Sequence, residues 1–347
     1  MISWQTGVPV VEHWSIADDC QLLIDHGTRP KAQGVKQRRE NPMATKIKNL
    51  RLIGKILIIN VTFGFLTLHG SMAAEKLTVY VENYPLQYFA ERIGQEHVNV
   101  VFPIPADINP AYWMPDAKTI SDYQQADLIL LNGAGYAKWV SKATLPRFRM
   151  VNTSAGFKDQ YIESAEIFTH SHGSDGEHAH EALAFTTWID FNLAARQAKA
   201  IAEALGRKRP ELKDTFQKNY QKVEQDLLKL DRNLKTLISK DPSRPLVVSH
   251  PVYDYFARRY GLNIKSVHWE PDEMLTNARM MELNSLLKEH AAKWMIWEGN
   301  VLKQSAERLK AIGVDSLGFN PCGNTPNHGD FLRVMRQNVE NLKPAFQ

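Results

Sequence analysis

The chain has 347 residues, two cysteines and a formal net charge of +4. The positive balance is inflated by a basic N-terminal segment, and no Lys/Arg patch with interleaved aromatics stands out, which sets nucleic acid aside as a partner. With Cys20 in that segment and Cys322 alone beyond it, the body of the chain can form no internal disulfide and has to be stabilised by its core.

Residues 1–42 show no sustained apolar period and carry a polar, basic run over Lys31–Arg39. They read as a leader from a start codon placed too far upstream, with a cytoplasmic extension as the alternative. Residues 43–74 then show the three parts of a secretory signal peptide. Lys46, Lys48, Arg51 and Lys55 form a basic region, Ile56–Leu68 is apolar, and Ser71 and Ala73 stand at the minus-three and minus-one places of a cleavage site. The thirteen-residue apolar run is short of the roughly twenty that a membrane span needs. A mature chain beginning near Ala74 or Glu75 is therefore expected in the periplasm. No cysteine follows the apolar run, so it is not expected to be a lipoprotein.

The 273 residues from Glu75 onward suffice for two domains and read as α/β. Leu77–Val81 is a β-rich apolar run followed by Glu82, Asn83 and a helix over Leu86–Ile93. Val98–Pro103 and Leu128–Leu131 are further strands, the latter ending in Asn132 and Gly133, and Phe148–Val151 adds a fourth. Strands alternating with helices predict parallel βαβ units.

Next comes a tract with four histidines in eleven residues, His170, His172, His178 and His180. Neutral imidazole is the commonest metal ligand, and short His-rich tracts read as metal-binding. Interleaved serines and glycines make residues 169–181 a loop, and Asp175, Glu177 and Glu181 add carboxylates that zinc accepts. Asp190–Leu205 is helical, with Gly206 in the place of a C-terminal stop. A longer helix follows Pro210, in which Phe216, Tyr220, Val223, Leu227, Leu230, Leu234 and Leu237 share one stripe. That stripe is expected to pack along the protein itself, with a coiled-coil dimer as the alternative.

The α/β grammar resumes at Leu246–Ser249, followed by a helix over Val252–Tyr260 capped by Gly261. Ile264–Trp269, Trp294–Trp297 and Val314–Phe319 are strands. Ala278–Ala292, Val301–Ile312 and Phe331–Leu342 are helices. Ligands of open α/β sheets bind beyond the carboxyl ends of the strands. The cleft-facing candidates are then Glu82, Asn83 and Asn132 in the first half and His250, Glu270, Glu298 and Asn320 in the second. An imidazole with one or two carboxylates can complete a tetrahedral zinc site, which singles out His250, Glu270 and Glu298.

From Lys76 to the C-terminus the chain resembles the TroA-like substrate-binding proteins of zinc and manganese ABC transporters. The segment Ser249-His250-Pro251 through Phe256, with Tyr260-Gly261-Leu262, is similar to the motif of the family's third metal ligand. A His-rich loop just before the second ligand, here His170 to His180, marks the zinc-uptake branch. The resemblance implies an α/β fold of two lobes, each a mainly parallel sheet flanked by helices, joined by one long backbone helix. The lobes would be residues 75–206 and 240–347, with the helix at 210–239. It also implies a monomeric partner of a membrane permease with a cytoplasmic ATPase, carrying Zn²⁺ in preference to Mn²⁺.

Three of the family's four ligand places are substituted. The first His falls at Ala111 in Asn109-Pro110-Ala111-Tyr112-Trp113, the second at Thr186 before Thr187-Trp188, and the fourth, an Asp, at Asn320 before Pro321-Cys322-Gly323. His250 alone is retained. Either the loop histidines rebuild the site with His250 and Glu298 or Glu270, or the cleft takes a different ligand and the loop alone keeps metal. A zinc buffer or metallochaperone without a transporter is a further alternative, and a zinc hydrolase using Glu177 or Glu298 as base is another. Neither a His-Glu-x-x-His helix nor a Gly-x-Ser-x-Gly elbow supports the hydrolase.

Overall fold

Leu77–Val81 (β1) turns Leu77, Val79 and Val81 into the core and leaves Thr78 and Tyr80 half-buried, the period of two that a strand imposes. Val98–Val101 (β2) pairs on one side of it and Leu128–Leu131 (β3) on the other, with Met150–Asn152 (β4) beyond β3. All three pairings are parallel. This computed structural model describes residues 75–163 and 183–347. The leader, the signal peptide and the histidines His170, His172, His178 and His180 lie outside the described residues.

Helices follow where side chains can close their first turns. Asn83 precedes Tyr84–Gly94 (α1) and accepts the Leu86 amide at 3.0 Å, with Pro85 in a first-turn position that needs no amide donor. Asp116 caps Ala117–Gln125 (α2). Asp190 caps Phe191–Lys208 (α3) by accepting the amides of Asn192 and Leu193. Gly206 does not stop α3 as the sequence suggests. It is buried inside the helix, and a Cβ there would meet the Lys213 side chain at 3.2 Å. The glycine permits a close approach to the next helix rather than an ending.

That next helix, Lys213–Ile238 (α4), has 26 residues and is about 39 Å long. All seven residues of its apolar stripe are buried.

The second sheet consists of Pro245–Val248 (β5), Asn263–Ser266 (β6), Trp294–Trp297 (β7) and Asp315–Gly318 (β8). Its order is β6-β5-β7-β8, parallel throughout, as the first sheet is β2-β1-β3-β4. Asp254–Tyr260 (α5) ends on Gly261 at φ 69°, the left-handed cap that glycine favours. Asn277–Glu289 (α6), Lys303–Ala311 (α7) and Phe331–Leu342 (α8) complete the layer. The strand read as Ile264–Trp269 leaves the sheet after Ser266, and the helix read from Val252 starts at Asp254.

The long helix α4 packs along α3 and α1 beside the first sheet and also against α8 and α5 beside the second. One continuous apolar core runs through these helices, with a smaller cluster around Trp269, Trp297 and Leu283 on the outer side of the second sheet. Arg259 of α5 grips Asp231 of α4 through two bonds of 2.8 and 2.9 Å. Beyond β8, the chain returns to the first half. The Trp188 indole donates to the Pro321 carbonyl at 2.7 Å, and the Tyr84 amide donates to the Gly323 carbonyl at 3.0 Å. Among the described residues no helix is long and apolar enough to cross a membrane.

Candidate functional site

Each sheet reverses its winding between its first and third strands in chain order, and such switch points are where open α/β sheets take ligands. In the first sheet that point lies between the ends of β1 and β3. The Glu82 carboxyl oxygen there accepts the Asn132 amide at 2.6 Å, and both residues are buried. Burial raises the Glu82 carboxyl to about 8, with the Asn132 amide opposing it. The Asn132 side chain donates to the Gly133 and Phe185 carbonyls and accepts from Thr187 and Gln197. Asn83 is buried and spent as the cap of α1. The expectation that Glu82, Asn83 and Asn132 face the cleft is therefore corrected: none of them lines the cavity at the strand ends. Glu82 and Asn132 are tied to scaffold amides and carbonyls, and Asn83 to the first turn of α1 through Oδ1, its Nδ2 buried without a partner among the described residues.

In the second sheet the switch point lies between the ends of β5 and β7. Here the Ser249 hydroxyl accepts the Glu298 amide at 3.2 Å, and the side chains of His250 and Glu298 are left to line a cavity of about 510 Å³ together with Glu270. His250 Nδ1 is buried without a hydrogen-bond partner among the described residues; Glu270 Oε1 stands 3.9 Å away, too far for a hydrogen bond. Burial holds the His250 imidazole below its ordinary value, Glu270 pulling it up and His268 pushing it further down. The imidazole is thus neutral and able to ligate. Burial, aided by Glu270, lifts the Glu298 carboxyl to about 7.

The structure so brings together the three described candidates, His250, Glu270 and Glu298. His268, which the sequence reading passed over, joins them, its ring 5.8 Å from that of His250. Among the described residues no three His, Cys, Asp or Glu side chains are disposed to hold one metal ion.

The three substituted ligand places have other uses. Ala111 is fully buried and donates its amide to Asn109 Oδ1. The Thr186 hydroxyl donates to the Val252 carbonyl at 2.5 Å, across from the first half to the second. Asn320 does not face this cavity. Its Oδ1 accepts the Cys322 amide at 2.7 Å, and its backbone is held on both sides by Asn338. The Cys322 thiol is buried and pushed up to about 12, mainly by desolvation, which leaves it inert as a ligand at neutral pH.

Tyr112, Tyr136, Phe185 and Trp188 supply an aromatic part of the cavity wall, beside Asn109, Thr186 and Val252 among others. Tyr136 meets Phe185 and Trp188 edge-on, with ring centroids at 5.3 and 5.5 Å. These four residues come from three separate segments, around Tyr112, Tyr136 and Phe185–Trp188, that no local pattern links.

The family model of ZnuA, the periplasmic zinc-uptake complex component A, matches residues 79–345. The chain is similar to the high-affinity zinc uptake system protein ZnuA of Bacillus subtilis (strain 168), with 26% identity over 283 residues, 78% of this chain and 88% of that protein. It is 27% identical over 280 residues to the zinc-binding lipoprotein AdcA of Streptococcus pneumoniae, covering 77% of this chain but 55% of AdcA; it thus spans about half the length of that relative. Among solved structures, the metal-dependent lipoprotein YcdH from Bacillus subtilis superposes with a TM-score of 0.67 at 24% identity, over 78% of this chain and 98% of that one. Zn(II)-bound AdcA from Streptococcus pneumoniae superposes with a TM-score of 0.66 at 22% identity, over 78% and 58%. At these identities the structures speak for the fold: two parallel sheets with helices around them and a cleft at their strand ends. Since the family model spans both sheets, the long helix and the cleft, the chain belongs to the ZnuA family of periplasmic zinc-uptake components.

Proposed function

We propose that this chain is the zinc-binding component of an ABC uptake transporter, which captures the ion outside the inner membrane and delivers it to a permease driven by a cytoplasmic ATPase. The observation that carries this reading is His250, a neutral imidazole with a buried, unpartnered ring nitrogen, on the wall of a cleft at the switch point of a ZnuA-family fold. Zinc is favoured over manganese because imidazole suits zinc while manganese prefers oxygen donors. In this role the protein binds and releases without covalent chemistry. It acts as a monomer, is held in the periplasm after signal-peptide cleavage and carries no lipid.

The metal site combines His250 and Glu298 or Glu270 with histidines from His170, His172, His178 and His180. Glu163 and Leu183, which flank the histidine segment, pair with each other, and Leu183 lines a small pocket together with His250 and Thr186. His180 is three residues from Leu183, within roughly 10 Å of extended chain, so connectivity supports a shared site.

The test is zinc titration calorimetry with metal counting on the protein, on a variant lacking 169–181 and on His250→Ala. Weakening of one tight site by both changes supports the reading. Complete loss on deletion with no effect of His250→Ala would remove metal from the cleft, and no zinc binding by the unaltered protein would end the proposal.

A further inference from the structure

We propose that the cleft takes zinc as a one-to-one complex with a small tridentate chelator of the amino-acid class, the chelator supplying three donors and His250 the fourth. This rests on the reading that the cleft carries zinc at His250, and it names the form in which zinc arrives, the chelator's donors taking the places that the loop histidines and Glu298 or Glu270 fill when the ion is bound bare. Zinc is held by four donors in tetrahedral array. Among the described residues the cleft offers no group of three ligands to one ion, while the one retained imidazole keeps a ring nitrogen without a partner.

The space argues in the same direction. A bare ion is gripped by donors at about 2.0–2.3 Å on all sides, whereas this cavity is about 510 Å³, in the range of roughly 300–1,000 Å³ that small organic ligands occupy. Its wall of Tyr112, Tyr136, Phe185 and Trp188 gives an organic ring or chain flat apolar surface to lie against, for which a lone ion has no use.

Charge narrows the chelator further. Glu270 and Glu298 line the cavity, and no lysine or arginine does so among the described residues. Lys138 approaches the Phe185 ring at 5.8 Å without lining the cavity. Such a wall favours a cationic guest over an anionic one. Histidinate fits: it is a monoanion offering an amino nitrogen, an imidazole nitrogen and a carboxylate oxygen, so its zinc complex keeps one positive charge and one water-filled position. The neutral His250 ring displaces that water, forming one Zn–N bond, and no proton changes hands. A zinc–citrate complex, net negative, meets the same carboxylates unfavourably.

The experiment incubates the purified protein with zinc alone, with zinc and radiolabelled L-histidine, and with zinc and citrate. Metal and label that co-elute with protein on gel filtration are then counted. We expect zinc and histidine to be retained one to one at the cleft, both in the protein and in a variant lacking 169–181, with citrate excluded. Tyr112→Ala should reduce label retention about tenfold, as loss of an aromatic contact implies, and His250→Ala should abolish it. Zinc retained at His250 without label would overturn the chelate while leaving the proposed function standing. Label retained equally without zinc would make the cleft a pocket for an organic ligand and overturn both, and zinc retained in no form would end the transport reading itself.

Discussion

Where β1 and β3 diverge, an open amide on Asn132 is met by the carboxyl group of Glu82; where β5 and β7 diverge, the equivalent amide on Glu298 is met by the hydroxyl of Ser249. The two sheets have the same strand order and face the same need to satisfy a backbone donor at the switch point. The first half meets it with a long acidic side chain that is buried in the process. The second meets it with a short hydroxyl, and its longer polar side chains, His250 and Glu298, stay in the cavity. The residues after the strand differ in placement: Asn83 caps a helix through Oδ1 and does not line the cavity, whereas His250 lines it with a buried ring nitrogen that has no partner among the described residues. A polar residue at a strand end thus serves a ligand only if the scaffold's donors are satisfied by something else.

This comparison is broken most severely at Asn132. Asn132→Ala strips partners from the Phe185 carbonyl, Thr187 and Gln197 at once, and should cost roughly 4 kcal/mol in urea unfolding with zinc affinity unchanged. A stable variant with weakened zinc binding would place Asn132 on the ligand's side.

Next in size is Glu82→Gln. The folded protein holds the Glu82 proton up to about pH 8, while the unfolded chain releases it above about pH 4.5. The stability associated with the retained proton is therefore full below about pH 4.5 and is lost as pH rises towards 8. Glutamine keeps an oxygen for the Asn132 amide and does not titrate. Its advantage over the parent should grow by roughly 1.4 kcal/mol per pH unit, reaching roughly 3 kcal/mol by neutral pH. A difference independent of pH would show that this carboxyl is not the buried acid described.

The smallest effect belongs to Thr186→Val, which removes the hydroxyl bond to the Val252 carbonyl. A loss of about 1 kcal/mol, read as a small fall in melting temperature, is expected with no change in zinc stoichiometry. A changed stoichiometry would return this position to the ligand set.

Much of the fold is legible in local pattern. Leu77–Val81, Leu128–Leu131, Trp294–Trp297 and Phe331–Leu342 have the bounds read from the residues, because short apolar runs bounded by polar turns, or a strong helical stripe, leave little freedom. Gly206 misleads because a glycine near a helix end reads as a stop, while here a Cβ would press on the Lys213 side chain of the neighbouring helix. The site was half legible. His250, Glu270 and Glu298 follow from their places after strands, but the same rule proposes Glu82, Asn132 and Asn320, whose side chains turn inward to amides and carbonyls that only the fold supplies. The aromatic wall is invisible in the chain order, since Tyr112, Tyr136 and Phe185 lie far apart in sequence and meet only once the first half has folded.

The proposed cargo site lies at the ends of β5 and β7, with His250 foremost. Diffraction from zinc-loaded crystals at the zinc absorption edge tests it directly. The account predicts one anomalous peak in the cleft within about 2.1 Å of a His250 nitrogen, with density for further donors around it. A zinc peak confined to the segment of His170 to His180, with nothing beside His250, would contradict it.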